Sequence, residues 1–359
     1  MPETKINVNV FENNKAYNPQ AFGRYIQSIP KTRKNELIKA NIFTSDEDIR
    51  NLFTSQSTAA YAVVPMVGEF AAKVQNLDGK TDLDGGELTT YYYGVTSYGR
   101  AVTGKEKDYV KNLIPGLDPL DQIANKFAEK WDDVDEDTLV SIIKGVFAST
   151  IDGGTEFAEA HTLETAKVDE TSIYDATQKA CGDNSEIFSL AIMHSKIANE
   201  LAKKQLLEYI KYTDEQGIQR NTKIGQWGDK IVLVDDSTTT EKVEVTEGEG
   251  ENATTKTVTK YITYVLGEGL FDKEELNVEM PFERYRNALK AGGLTYLISR
   301  AMKVKHPMGF SYLKASQADE SPTNEEFANG ANWGLAKSAD GTKFYPHKCI
   351  PLARIVSEG

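Results

Sequence analysis

The sequence has few of the residues that build covalent frameworks or metal centres. Its 359 residues include two cysteines, Cys181 and Cys349, and four histidines. Two cysteines exclude a disulfide framework, and although one disulfide is possible, two unbridged structural thiols are the expectation. The scattered histidines form no HExxH pattern, and the cysteines form no CxxC pattern. The sequence therefore predicts no metal site and no cofactor.

Long apolar runs are also missing. No run approaches the ~20 residues that cross a bilayer. The first residues, Met1 to Lys5, lack the basic and apolar segments of a secretory signal. We expect a protein that is made in the cytoplasm and has no membrane partner. Its 40% hydrophobic and 26% charged residues are ordinary for a folded chain, and its length allows two or three subdomains.

Basic charge is in deficit. The formal net charge of −13 argues against a protein that wraps nucleic acid by neutralising phosphates. It does not argue against a protein that encloses nucleic acid, because an acidic wall would let packaged DNA slide without sticking.

Catalytic motifs are lacking as well. The sequence contains no GxxxxGK[ST] loop, no GxGxxG after a strand and no GxSxG elbow. His194 precedes Ser195, but adjacent residues at a strand–helix junction point apart. The three tryptophans are interpreted as packing residues rather than as a platform for bases. Since many enzymes assemble a site from dispersed residues, a cytoplasmic hydrolase with a dispersed site is kept as an alternative.

Residues 1–55 are polar and carry a basic cluster. Its members are Arg24, Lys31, Arg33, Lys34 and Lys39. This pattern predicts either an arm that docks on an acidic neighbour or on nucleic acid, or a solvated helical face between Pro30 and Asn41.

A long β-hairpin is predicted between residues 67 and 105. Two β-prone runs flank a segment rich in Asp-Gly pairs, which indicate a turn. The second run contains Tyr91, Tyr92, Tyr93 and Tyr98. Because an isolated two-stranded ribbon is marginal in water, we expect these aromatic rings to pack on something else, such as another subunit.

A long helix is predicted from Asp118 to Ala148, with Pro119 in its first turn. It carries an acidic patch whose members are Asp132, Asp133, Asp135, Glu136 and Asp137. Carboxylates that fan around one helix do not converge on a metal ion. The patch is therefore interpreted as a solvated face and as a candidate partner for the basic cluster.

The remaining pattern mixes helices and strands irregularly, which is typical of an α+β protein. Helices are predicted at 170–183 and 195–211. Strands are predicted at 187–193, 231–234, 261–266, 294–300, 302–306 and 350–356. The polar segment 236–260 is interpreted as a surface hairpin inserted between two core strands.

Four stretches resemble the major capsid proteins of tailed bacteriophages, which have the Hong Kong 97 fold. Residues 296–310 resemble that family's strand pair ending in a His-Pro-x-Gly turn, and residues 118–148 are similar to its long spine helix. Residues 193–201 and 321–333 add two weaker matches. Their shared order, over most of the chain from residue 67 onward, makes the resemblance specific.

The resemblance implies a division of the chain. It comprises an N-terminal arm (1–55), an extended loop (56–110), a peripheral domain with the spine helix (111–165 and 291–359) and a mainly axial domain (166–290) that includes the insertion 236–260. The basic cluster, the four tyrosines and Asp132, Asp133 and Asp135 would then be assembly contacts. Lys73 and Lys80 have no residue-by-residue match to a cross-linking lysine, so non-covalent closure is expected.

The resemblance also implies a function without catalysis. The protein would assemble with itself, as hexamers and pentamers, into an icosahedral or prolate head that encloses double-stranded DNA without sequence-specific binding. The short arm favours a separate scaffolding protein, and a portal and decoration proteins are further expected partners. Within the same fold, the alternative is an encapsulin-like nanocompartment shell around an enzyme cargo.

Overall fold

A computed structural model describes residues 41–55, 60–72, 74–77, 82, 85–107, 119–213, 219–236, 240–247 and 254–358. The α-helices in these ranges are α1 (Glu47–Ser55), α2 (Pro119–Phe147), α3 (Gly154–Ala160), α4 (Ser172–Cys181), α5 (Ser195–Lys203) and α6 (Asn324–Ala328). The strands of the N-terminal part are β1 (Phe43–Thr44), β2 (Tyr61–Ala71), β3 (Glu87–Lys107), β4 (Thr162–Thr165), β5 (Phe188–Met193), β6 (Leu207–Thr213), β7 (Gln219–Trp227) and β8 (Lys230–Val234). Those that follow are β9 (Thr240–Glu247), β10 (Thr254–Gly267), β11 (Phe271–Leu276), β12 (Phe282–Asn287), β13 (Leu294–Pro307), β14 (Phe310–Tyr312), β15 (Trp333–Leu335), β16 (Lys337–Ser338) and β17 (Leu352–Ser357). The predicted α+β class is confirmed.

Most strands belong to two larger sheets. The first has the order β1-β11-β13-β3-β16, with β2 on β3 and β12 on β13. The second has the order β4-β17-β10-β5-β8-β7-β6, with β9 on β10. The last strand, β17, thus lies inside the second sheet, whereas β11 and β12 lie in the first. The division into arm, loop, peripheral and axial domains stays a prediction.

The second sheet separates two hydrophobic cores. Because successive side chains of a strand point to opposite faces, Leu190 and Ile192 of β5 face the first core, while Ala191 and Met193 face the second. Helix α2 packs in the first core, and α4 and α5 pack in the second.

The predicted long helix is confirmed as α2, which spans 29 residues. Its C-terminal half is buried through Leu139, Ile142, Ile143 and Val146. Gly145 permits a close approach there, because a Cβ atom at this position would lie 1.9 Å from the carbonyl oxygen of Phe327. Because Gly145 has no side chain, α2 can pack directly against α6.

Two predicted boundaries are wrong. The helix predicted to run to Lys211 ends at Lys203. Gln205 has a φ of 59°, a left-handed conformation that terminates a helix, and Leu207 then begins β6, where it pairs with Trp227. The two strands predicted at 294–300 and 302–306 are one strand, β13.

The polar insertion forms the predicted hairpin. Strand β9 pairs with β10 from Thr240 opposite Tyr261 to Glu247 opposite Thr254. Its second strand is not separate from the core strand predicted at 261–266, because β10 runs without a break from the hairpin into the second sheet.

Candidate assembly surfaces

The predicted long hairpin is confirmed as a two-stranded ribbon of β2 and β3. The antiparallel register runs from Tyr61 opposite Thr96 to Ala71 opposite Glu87. Paired residues share a face, so the ribbon has two distinct faces. The inner face carries Ala62, Val64 and Tyr93, which are buried in the chain's own first core.

Three of the four predicted contact tyrosines are buried within this chain. Tyr91, Tyr93 and Tyr98 are 4%, 7% and 1% exposed. Tyr91 packs edge-on against Tyr345 at 5.6 Å between ring centroids, and Tyr93 stacks on His306 at 5.0 Å. The prediction that these three rings pack against another copy is therefore wrong, because their partners come from distant parts of the same chain.

Strand alternation places Tyr92 and Tyr98 on the same outer face, so their different exposure depends on what covers that face. At Tyr98 that face is covered by α6, whose Phe327 ring lies 5.5 Å away. At Tyr92 the side chain is 43% exposed. Tyr92 is thus the one predicted tyrosine that remains available to a neighbour.

The outer face of the ribbon around Tyr92 is apolar and exposed. We define the apolar outer face by Val63, Pro65, Val67, Phe70, Leu88 and Tyr92. Val67 is 70% exposed, Phe70 65% and Leu88 56%. A register shift between Val67 and Phe70 places Phe70 opposite Leu88, which keeps it on the side of Val67. Contiguous exposed apolar surface of this kind marks an interaction site.

The acidic patch on α2 is not uniformly solvated, because Asp135 belongs to a buried ion cluster. Lys303 places its Nζ 2.8 and 2.9 Å from the two carboxylate oxygens of Asp135. Lys305 donates to the Asp135 backbone carbonyl at 2.8 Å and lies 3.2 Å from its carboxylate, and Lys273 lies at 3.8 Å. Asp135 therefore ties α2 to β11 and β13, and its prediction as an assembly contact is wrong.

Electrostatics agrees with that geometry. Burial alone would raise the pKa of Asp135, but the ammonium groups of Lys305, Lys303 and Lys273 hold it well below its ordinary value. Burial lowers the pKa of Lys305 to about 7, although Asp135 opposes that shift. The carboxylate is thus ionised at neutral pH and acts as an internal counter-ion.

The other predicted charged contacts are either exposed on α2 or lie outside the described residues. Asp133 lies on the surface of α2, where its side chain is 57% exposed and lies 3.7 Å from Lys130. Asp132, its neighbour, is partly exposed. The basic cluster of Arg24, Lys31, Arg33, Lys34 and Lys39 lies outside the described residues, as do Lys73 and Lys80.

His194 and Ser195 serve to begin a helix. The Nδ1 atom of His194 accepts a hydrogen bond from the backbone N–H of Lys196 at 3.1 Å. Asp236 accepts one from the backbone N–H of Ser195 at 3.0 Å. Both contacts satisfy N–H groups in the first turn of α5.

Two other histidines are buried and neutral. His161 donates from Nδ1 to the carbonyl of Leu352 at 2.5 Å, which leaves Nε2 as the acceptor for His347 at 3.1 Å. His306 donates from Nε2 to the carbonyl of Phe310 at 2.8 Å. Burial lowers the pKa of both rings to about 4. They are structural groups whose protonation would oppose folding.

The tryptophans pack as predicted. Trp131 donates to the Ser299 hydroxyl at 2.9 Å, Trp333 donates to the Phe327 carbonyl at 2.7 Å, and Trp227 is 2% exposed. In the part of the chain that the structure describes, no group of three or more His, Cys, Asp or Glu side chains is arranged to hold a metal ion. No helix within these ranges is both long enough and apolar enough to span a membrane.

A curated relative supports the resemblance to phage capsid proteins. No protein-family model matches the chain. The major capsid protein of Bacillus phage SPP1 is 27% identical over 315 residues, which cover 88% of this chain and 90% of that protein. The chain is thus similar over most of its length to a tailed-phage major capsid protein. This similarity supports the resemblance inferred from the sequence and points to a structural rather than an enzymatic role.

Solved phage capsids contain similar chains. The capsid of Ralstonia phage GP4 gives a TM-score of 0.49 at 10% identity and covers 76% of this chain and 86% of its own. The acidic stable capsid of Helicobacter pylori bacteriophage KHP30 gives 0.49 at 12% identity and covers all of both chains. The chain itself has a mixed helix-and-sheet architecture.

Sequence reasoning missed two features of this chain. Val63 and Pro65 extend the apolar outer face, and their alternation with buried Ala62 and Val64 was the available signal. The lysines around Asp135 gave no local signal, because they lie more than a hundred residues away along the chain.

Proposed function

We propose that this chain is the subunit of a tailed-phage head, in which hexamers and pentamers close an icosahedral or prolate shell around double-stranded DNA. Its similarity to a phage major capsid protein supports self-assembly as such. The single observation that carries the finer proposal is the apolar outer face of the ribbon, which the described part of the chain leaves exposed.

Energy favours burial of that face between copies. Covering one Val, Leu or Phe side chain contributes ~1.5–3 kcal/mol, and Val67, Phe70 and Leu88 are all more than half exposed. The same contact would recur at every subunit, so a modest gain per copy would be multiplied over the lattice. The ribbon would serve as the extended loop (within residues 56–110) that lies across a neighbouring peripheral domain.

Charge supports a weaker second contact. The basic cluster of the arm (1–55) would meet Asp132 and Asp133 of a neighbouring copy. Exposed ion pairs contribute only ~0–1 kcal/mol each, and salt would screen them. This contact would adjust the assembly threshold and would not hold the shell alone.

The remaining partners follow from the same proposal. The net charge of −13 suits a wall that encloses DNA without sequence-specific binding. Assembly would take place in the host cytoplasm with a separate scaffolding protein and a portal, and decoration proteins would bind the closed shell. The encapsulin-like alternative predicts an enzyme cargo in place of DNA.

The test is the assembly of the full chain, expressed with and without the genes that flank its own. We expect negative-stain microscopy to show closed shells and sedimentation velocity to show very large particles. A folded chain that stays monomeric at all concentrations, even with its neighbouring genes expressed, would contradict the proposal. Particles purified from host cells should contain DNA; a protein cargo without DNA would favour the nanocompartment.

A further inference from the structure

The two cysteines lie close together although about 170 residues separate them. Cys181 is the last residue of α4 and is 2% exposed. Its thiol donates to the carbonyl oxygen of Ile350 at 3.3 Å. Ile350 directly follows Cys349, which is exposed and ends the 3₁₀ turn His347–Cys349. The buried sulfur is therefore one residue away from an accessible thiol.

We propose that Cys181 and Cys349 form a reversible intramolecular disulfide when the protein meets a small-molecule disulfide such as oxidised glutathione. Neither cysteine is in a disulfide in the structure, and no established property of the chain assigns this modification site. The bond does not depend on shell assembly, so its failure and a failure to assemble would be separate results.

The chemistry proceeds by two exchange steps. The Cys349 thiolate attacks one sulfur of the oxidant, forms a mixed disulfide and releases one small thiol. Cys181 then loses its proton, and its sulfur attacks the Cys349 sulfur. This second step forms the protein disulfide and releases a second small thiol. Two protein thiols are oxidised and one small disulfide is reduced, so atoms and electrons balance.

Burial assigns the order of these steps. Burial, together with the nearby charge of Cys349, raises the pKa of the Cys181 thiol to about 11. A buried thiol with a raised pKa is a poor first nucleophile, whereas Cys349 is accessible to the oxidant. Cys349 is thus the attacking residue, and Cys181 is the resolving residue.

The bond would fasten the second core. Cys181 ends α4, which packs in that core, and Cys349 precedes β17, whose Ala353 and Ile355 belong to it. A crosslink over so long a loop restricts the unfolded chain strongly. Thiols stay reduced in the cytoplasm and are oxidised outside cells. The bond would therefore form in a released virion and add stability after assembly.

The experiment compares the full-length protein with two variants after incubation with oxidised glutathione at mildly alkaline pH. The wild type should lose both reactive thiols, migrate faster on a non-reducing gel and yield a crosslinked peptide pair containing Cys181 and Cys349. Its Tm should rise by about 5 °C, and dithiothreitol should reverse every change. Cys349→Ser, at an exposed position, should fold normally and show none of these effects.

Cys181→Ala tests the order of the steps, because it should retain a glutathione adduct on Cys349. If that variant does not fold, the same adduct should appear transiently when wild-type oxidation is quenched early. A stable adduct on Cys349 of the wild type, with Cys181 still reduced, would overturn the proposal. A Cys349-linked dimer without the intramolecular bond would overturn it as well.

Discussion

Two long hairpins of this chain have the same strand arrangement but differ in amino-acid composition. In each, an edge strand pairs with one part of a longer strand that continues into a sheet: β2 pairs with β3, and β9 pairs with β10. The β2–β3 ribbon exposes Val67, Phe70 and Leu88. Residues 240–258, in contrast, are mostly Thr, Glu and Lys. The same backbone arrangement therefore carries an exposed apolar face in one hairpin and a mostly polar sequence in the other.

The comparison distinguishes a hairpin that only extends into solvent from a hairpin that also binds a partner. A long hairpin has few partners of its own, so its outward side chains indicate what it meets. An apolar outward face loses free energy in water until it is covered, whereas a polar one needs no cover. We therefore propose that the assembly contacts lie on the ribbon and not on the β9–β10 hairpin.

The largest effect is expected from charging the ribbon. The double substitution Val67→Asp and Phe70→Asp should abolish particles, because burying unpaired carboxylates between subunits is strongly unfavourable. The Tm of the unassembled chain should not change, since both side chains are mostly exposed. Leu289→Asp, at a 97% exposed site away from the ribbon, is the control. Normal particles from the double variant in electron micrographs would remove the ribbon from the interface.

Adjacent tyrosines separate the two faces of the ribbon. Tyr93→Ala should lower the free energy of unfolding by ~3–5 kcal/mol, because it removes a buried ring that stacks on His306. Tyr92→Ala should lower it by less than ~1 kcal/mol and weaken assembly instead. Denaturant titration and sedimentation of both variants give the comparison. Equal destabilisation by the two changes would show that the faces are not distinct.

Acid should lower the stability of the fold. The pKa values of His161 and His306 are lowered to about 4, so the fold binds fewer protons than the unfolded chain. The contribution of the two neutral histidines to the free energy of unfolding is fully present above pH ~6.5, and it is lost as the pH falls toward ~4. Burial raises the pKa of Asp272 to about 6, which opposes the loss, because the fold then holds this proton more tightly.

The net acid effect can be measured by denaturant titration between pH 7 and pH ~4.5. We expect the free energy of unfolding to fall by ~3 kcal/mol. Asp272→Asn should make the fall steeper, because it removes the opposing group. A wild-type stability that stays constant across this range would contradict the assignment of neutral, buried histidines.

The smallest effect is expected from removing the polar hairpin. Replacing residues 238–258 by a short Gly-Ser linker should change the free energy of unfolding by less than ~1 kcal/mol, since loop length alone costs little, and particles should still form. The same linker in place of residues 67–90 is the matched control; it removes Val67, Phe70 and Leu88, so it should leave the chain folded and prevent closure. Inclusion bodies from the 238–258 variant would place the hairpin in the core.

Local signals predicted the elements well. Pro119 and the apolar periodicity predicted α2, and Asp-Gly pairs predicted the ribbon. The end of α5 was missed because a left-handed Gln205 leaves no strong mark in the sequence.

Long-range partners could not be predicted. Tyr91 meets Tyr345, and Asp135 meets Lys303 and Lys305. These partners come from the far end of the chain, and the alternation of residues along a strand cannot identify them. Alternation did separate Tyr91 and Tyr93 from Tyr92, but it could not say which side faces the chain's own core. That choice depends on tertiary packing, and it decides which residues remain for assembly.

Oxidative footprinting of the unassembled chain and of closed particles tests this account most directly, because it reports the solvent exposure of individual side chains. Phe70, Leu88 and Tyr92 should be labelled in the unassembled chain and protected in particles. Tyr93 should be protected in both states, and residues 240–258 should be accessible in both. Equal labelling of Phe70 and Leu88 before and after assembly would contradict the claim that the apolar outer face holds the shell together.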